Sequence, residues 1–229
     1  TTTTSPAPVL YTVGGIVGLG GAVFRNNASA TFNGDGSLKS FTSGSQTSSQ
    51  GTAQVVGYNG SDSIIKWGAW ANGTATIDNG AVTLSANQSL HHFWGVPTAT
   101  MPTTGTASYV LLGGTSPTES TGAWASGTLN SASMSVNFGT LAVSANLHVT
   151  INPTSVNRDY LMSGTGALSG GAFSVVNMSG SGSACLVAAC SGELSGRFYG
   201  TSAERVGLAY KIFDANFGGK TIIGVAALK

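Results

Sequence analysis

The chain has 229 residues, a formal net charge of +1 and only 7% charged side chains, where about 25% is usual for a soluble domain. Its nine Lys and Arg are scattered, which excludes a basic face for nucleic-acid phosphates and a polybasic patch for an anionic membrane. A hydrophobic fraction of 41% excludes a disordered composition, and no run of about 18 apolar residues reads as a membrane-spanning helix.

The chain opens Thr-Thr-Thr-Thr-Ser-Pro-Ala-Pro, which reads as a linker left by a removed signal or belonging to a longer protein. Helical periodicity is nearly absent from there on, and period-2 alternation takes its place. Strands are expected at Val9–Val13, Ala28–Phe32, Leu38–Thr42, Gln54–Tyr58, Ile64–Trp70, Thr74–Ile77 and Val82–Ser85. Turn signals at Asn33-Gly34, Asn59-Gly60, Asn72-Gly73 and Asn79-Gly80 separate them. The glycine-rich stretch Gly14–Gly21 lacks the Lys-Ser/Thr ending and the following helix of a phosphate loop, so it reads as a flexible connector or as close-packed backbone.

A Pro/Thr-rich break follows at Pro97–Thr106. It divides the chain into a part over 1–100 of shorter strands and a part over 101–229 whose strand count suits a closed eight-stranded antiparallel barrel. Strands are expected in the second part at Ala107–Leu112, Ala123–Leu129, Tyr160–Gly164, Ala172–Asn177, Glu193–Tyr199, Arg205–Phe213 and Thr221–Leu228. The plainest pattern lies between these. Ala132, Met134, Val136 and Phe138 alternate with polar residues, and after Gly139-Thr140 the alternation resumes through Leu141, Val143, Ala145, Leu147, Val149 and Ile151. That is a β-hairpin with one dry face. The fold class is all-β.

Chemistry is sparse. Eight carboxylates are present, and most of the aspartates sit beside turn residues, which argues against the facing pair a glycosidase needs. No Gly-x-Ser-x-Gly elbow precedes a helix. The expectation is a protein that is not an enzyme and has no metal site. Asn-x-Ser/Thr sequons at Asn27, Asn59, Asn72, Asn87 and Asn177 are as frequent as chance gives in so Asn-, Ser- and Thr-rich a chain. The densest cluster is His91-His92-Phe93-Trp94. A histidine there, with Phe93, Trp94, Trp67 or Trp70 as walls, would suit an axial haem ligand. The alternative is packed aromatics with one solvated histidine, because neighbours on a strand face opposite ways. Cys185 and Cys190 are separated by four residues, a spacing that suits a disulfide at a loop tip in an oxidising compartment, with two buried thiols as the alternative.

The segment Gly192-Glu-Leu-Ser-Gly-Arg-Phe-Tyr-Gly200 leads to Ala203-Glu204, Gly207 and a last strand ending Ile223-Gly-Val-Ala-Ala227. It resembles the closing strands of the transferrin-binding protein B type β-barrel, whose pattern G-x-F-x-G-x-x-A-E-x-x-G is matched by Gly196, Phe198, Gly200, Ala203, Glu204 and Gly207. Met101-Pro-Thr-Thr-Gly-Thr-Ala-Ser-Tyr109 resembles the start of the same barrel. Thr201 and Leu208 depart from the pattern, as in a divergent member. The likeness covers roughly 102–229. It implies a handle followed by an eight-stranded barrel, of the kind found in bacterial surface lipoproteins, secreted haem-binding proteins and FecR-domain proteins. Gly200 and Gly207 are expected to bracket a turn in which Glu204 accepts backbone N–H groups.

Two functional classes follow. The resemblance implies an extracellular or surface-exposed bacterial binding protein, acquiring iron, haem or a host protein. The near-neutral surface and the N-terminal tail point instead to self-association, with Val9–Val13 donated to the next subunit of a filament or coat.

Overall fold

The computed structural model describes residues 9–16, 22–153, 157–186 and 190–229. The expected linker over 1–8 and most of the Gly14–Gly21 connector lie outside the described residues. The first half folds as β1 (Tyr11–Ile16), β2 (Val23–Phe32), β3 (Leu38–Ser43), β4 (Gln46–Ser49), β5 (Gln54–Asn59), β6 (Ile65–Ile77) and β7 (Gly80–Gly95). The sheet order is β4-β3-β2-β1-β7-β6-β5, and a Ser49–Thr76 pairing of β4 with β6 closes six of these strands into a barrel. The handle-like part is therefore itself a closed barrel, with β5 laid against the start of β6. Strand β1 is paired on both sides within its own chain, to β2 and to β7. Donating it to another subunit would open this barrel.

The second half contributes β8 (Thr106–Gly114), the two-residue β9 (Thr118–Glu119), β10 (Thr128–Asn137), β11 (Ala142–Ile151), β12 (Arg158–Ser169), β13 (Ala172–Ser181), β14 (Ser191–Tyr199), β15 (Arg205–Asp214) and β16 (Lys220–Leu228). Strands β8 and β10–β16 pair in sequence order, and β16 returns to β8, closing an eight-stranded antiparallel barrel with β9 on its margin. The dry face of the β10–β11 hairpin points inward as its alternation requires, with Met134, Val136, Val143, Leu147 and Val149 all buried. The opposite face is nearly charge-free. Cross-strand rows such as Ser133–Asn146–Ser163–Ser179 and Ser135–Ser144–Thr165 run across β10–β13, exposed or half-exposed along their length.

Local expectations needed correction at three places. Asn72-Gly73 is not a turn: β6 runs through it with Asn72 at φ 49°, and the register with β7 jumps there in a β-bulge. The real turn is the two-residue Asp78-Asn79, both at positive φ, closing the pair Ile77–Gly80. Leu141 is not on the dry face; it takes φ 61° in the hairpin turn and is exposed. Ala123–Leu129 becomes strand only from Thr128. The buried Glu119 carboxylate accepts the N–H groups of Thr121 and Ala123 at 3.1 and 3.0 Å and the Thr121 hydroxyl at 2.5 Å. Those bonds offer the backbone an alternative to a ladder.

Strands β6 and β7 form the wall between the barrels and are buried on both faces: all seven residues Ser89–Gly95 are buried. Leu90, Trp94 and Trp70 pack into the core of the first barrel. Trp67 and Phe93 face the second barrel and pack with Tyr199, Ile223 and Val225. Two glycines of the second barrel make room for them. A β-carbon on Gly113 would lie 2.4 Å from the Trp67 ring, and one on Gly207 would lie 2.4 Å from the Phe93 ring. Gly207 is thus a strand residue that admits an aromatic ring, and with Gly200 it brackets the turn at Thr201–Ser202, as expected.

Candidate functional site

The six aromatic and imidazole residues singled out by sequence are divided by the β6–β7 wall. The cross-strand pairs Gly68–His92, Trp67–Phe93 and Ala69–His91 set the phase. His92, Trp70 and Trp94 share the inner face, with ring centroids 5.0 Å (Trp70–His92) and 5.6 Å (His92–Trp94) apart. His91, Phe93 and Trp67 share the face toward the second barrel. Two sets of three residues result, not one pocket.

His91 bridges the barrels. Its Nδ1 and Nε2 each lie 2.8 Å from a threonine hydroxyl, Thr115 and Thr118 respectively. Binding a metal through either nitrogen would break one of these bonds. Both imidazoles are buried, and burial lowers each pKa to about 3, with the His92 ring adding to the effect at His91. They are neutral at physiological pH. His148 stands on the outer face beside Asp159 at 3.4 Å.

Trp94 also takes part in an opening on the surface. It stacks on Tyr58 at 5.9 Å and on Phe32 at 6.1 Å, and Phe32 meets Tyr11 edge-on at 5.7 Å. Tyr11, Phe32, Ile64, Lys66, Trp94 and Val96 line a surface cleft of about 380 Å³. Phe32 is 36% exposed and Val96 50% exposed. Lys66 has no acidic partner among the described residues. The cleft therefore offers the exposed Phe32 ring, the Val96 side chain and one cation over a floor formed by Trp94, which is 2% exposed. Sequence reading reached Trp94 but missed Tyr11, Phe32 and Lys66, because they lie on three different strands. The available signal was that Phe32 closes β2 just before the Asn33-Gly34 turn, where a large apolar residue has no core to enter.

The carboxylates are each tied to separate neighbours. Asp62 pairs with Arg205 at 3.0 Å, Asp214 with Arg158 at 2.7 Å, Glu193 with Lys211 at 2.8 Å, and Asp78 with Arg25. Asp35 accepts from Ser37, Asp159 from Thr150, Glu204 from Thr201 and Ser202, and Glu119 from its own loop. No two carboxylates share a partner, so these bonds build no acid–base pair. Among the described residues no three His, Cys, Asp or Glu side chains converge as a metal site would require. No helix among them is long and apolar enough to cross a membrane.

The motif residues build the β14–β15 corner. Phe198 is buried among Tyr109, Phe138 and Phe173, with centroids 5.8, 6.0 and 5.5 Å away. Gly196 lies against the Phe173 ring, where a β-carbon would be 2.3 Å from a ring carbon. Gly200 takes φ 89° and leaves the space in which Glu204 folds back to accept the Ser202 N–H at 2.9 Å. That bond and the Thr201 hydroxyl hold the Glu204 carboxyl below its usual range. Ala203 is buried, and its carbonyl accepts the Tyr109 hydroxyl. Cys185 and Cys190 form a disulfide at the far end of the barrel.

No family model and no curated protein matches the sequence. Among solved structures the chain is similar to isotype 1 transferrin-binding protein B from serogroup B Neisseria meningitidis, with a TM-score of 0.51 and 15% identity over 100% of this chain and 45% of that one. It is also similar to a double mutant of transferrin-binding protein B from Haemophilus parasuis Hp5, with a TM-score of 0.50 and 14% identity over 96% of this chain and 44% of that one. The chain spans less than half the length of these structures, and at such identity the likeness is one of fold.

Proposed function

We propose that this chain is a non-catalytic, extracellular or surface-exposed binding protein of a bacterium, and that the cleft at Phe32 and Trp94 docks a protein partner. The exposed aromatic cleft carries the reading. Aromatic anchors in a partly enclosed site are the usual centre of a protein interface, and the unpaired Lys66 suits a partner with a carboxylate beside an apolar side chain. The fold likeness supports a partner in host fluid, and transferrin, which names the similar structures, is the first candidate. The disulfide is consistent with an oxidising compartment.

The test is surface plasmon resonance of the purified chain over immobilised transferrin and over fractionated serum proteins. Phe32→Ser and Lys66→Glu should each weaken the signal about tenfold, equivalent to about 1.4 kcal/mol, with the circular dichroism spectrum unchanged. Binding that both variants retain in full would refute the assignment of the cleft. A second reading, assembly with copies of itself, is favoured by the charge-poor outer wall of β10–β13, and sedimentation velocity across a concentration series distinguishes the two.

A further inference from the structure

Strand β5 is paired on one side only. It meets β6 through Gln54–Ala71, Val55–Trp70 and Val56–Ala69, and it ends the sheet order of the first barrel. The Ser49–Thr76 pairing closes β4, so β5 and the two-residue β9 are the described strands left with one open edge. Such an edge presents unpaired N–H and C=O groups. Outside its ladder with β6, no backbone group of Gln54–Asn59 bonds to another backbone group among the described residues.

The edge is also open in space. Gln54 and Gly57 are exposed, Val56 is 39% exposed, and a β-carbon on Gly57 would meet nothing within 4 Å. Natural sheet edges are commonly guarded by lysines and prolines. Strand β5 lacks both: no charged residue and no proline lies between Lys39 and Asp62 in the sequence. Its one guard is a bulge that begins at Gly57, at φ 61°, where the register with β6 shifts. The three residues before the bulge keep a regular ladder. Val55 packs against the core of the first barrel, which leaves Gln54 and Val56 on the outer face.

We propose that β5 pairs edge to edge with the β5 of a second copy of this chain, antiparallel about a twofold axis at Val55. That register sets Val55 opposite its own counterpart and Gln54 opposite Val56 of the second copy. A twofold axis brings a surface against itself, so the surface must tolerate its own charge, and an edge without charge meets its copy without repulsion. A guarded strand of another protein would bring charges for which β5 holds no counter-charge. Valine facing valine is a favourable cross-strand pair. The paired segment is short, so the dimer is of the weak kind that buries less than about 1,200 Å². None of the residues that line the Phe32–Trp94 cleft lies on β5, and β5 is separate from the outer wall of β10–β13, so the test below stands apart from those readings.

Sedimentation velocity of the intact chain, at concentrations up to about 1 mM, should show a monomer–dimer equilibrium. Val56→Lys should weaken the dimer about tenfold, because two lysines would stand diagonally across the axis. Its circular dichroism should match that of the wild type, since the side chain replaced is an exposed one. In the isotope-labelled wild type, the amide signals of Gln54, Val55 and Val56 should shift with concentration, and these shifts decide the matter if the variant does not fold. A wild type that stays monomeric throughout, a dimer that Val56→Lys leaves intact, or concentration-dependent shifts that spare β5 would overturn the proposal.

Discussion

The Tyr109 hydroxyl donates to the Ala203 carbonyl oxygen at 2.8 Å across 94 residues of sequence. It joins the first strand of the second barrel to the corner before β15, linking the two segments that resemble the transferrin-binding protein B pattern. Tyr109 is 5% exposed, so removing its hydroxyl strands a buried carbonyl. Tyr109→Phe is expected to cost about 1–3 kcal/mol, read as a lower urea midpoint at an unchanged slope. A midpoint equal to that of the wild type would mean that water replaces the hydroxyl.

Gly207 and Phe93 make a second long-range contact, this time between barrels. Gly207→Val should place methyl groups where the ring lies and cost about 1–3 kcal/mol through overpacking. Combining it with Phe93→Ala should return part of that loss, because the second change vacates the space the first needs. A double-mutant cycle on thermal midpoints checks the sign. Strict additivity would show that the two residues do not press on each other in solution.

The two buried imidazoles make stability depend on pH at an unusual place. Each has a folded-state pKa of about 3 against an ordinary 6.5. Between those values the unfolded chain binds protons that the folded chain does not. Stability is therefore complete above about 6.5 and falls as pH drops toward 3, with a slope approaching about 1.4 kcal/mol per pH unit for each histidine. Urea midpoints should already decline between pH 7 and pH 5, above the range in which carboxylates titrate, and His92→Phe should roughly halve that decline. Midpoints that stay level from pH 7 to pH 5 would contradict the burial of both rings.

Cys185 and Cys190 are bonded to each other. Alkylation without reductant should add nothing to the mass of the protein, and alkylation after reduction and unfolding should label both cysteines. Closing so short a loop contributes about 2 kcal/mol in the chain-entropy model, so the reduced protein should unfold at a correspondingly lower urea concentration.

The sequence was most legible where a strand has one wet face. The β10–β11 hairpin could be read residue by residue because Ser and Asn alternate with Val, Ala and Leu. Closure into eight strands follows from the number of such segments after the break near residue 100. The wall between the barrels was harder. In Ser89–Gly95 both faces are buried, so the alternation disappears, and sequence could say that His91 and His92 face opposite ways but not that both are buried. The surface cleft was illegible for a different reason: Tyr11, Phe32, Lys66 and Trp94 come from four strands, and only the barrel register brings them together. Asn72-Gly73 misled because positive φ serves a bulge as well as a turn.

The outer wall of β10–β13 has a consequence for how this protein behaves in solution. Its rows of Ser, Thr and Asn hold water through hydroxyl and amide groups, while the carboxylate of Asp159, beside His148, lies at one end. Ionic strength acts on charges, so dilution or addition of simple salt leaves encounters through this surface almost unaltered. Sulfate and other excluded solutes act by a different route, favouring any contact that reduces hydrated area. Precipitation by such salts, and not by proximity to the isoelectric point, is the behaviour this surface dictates.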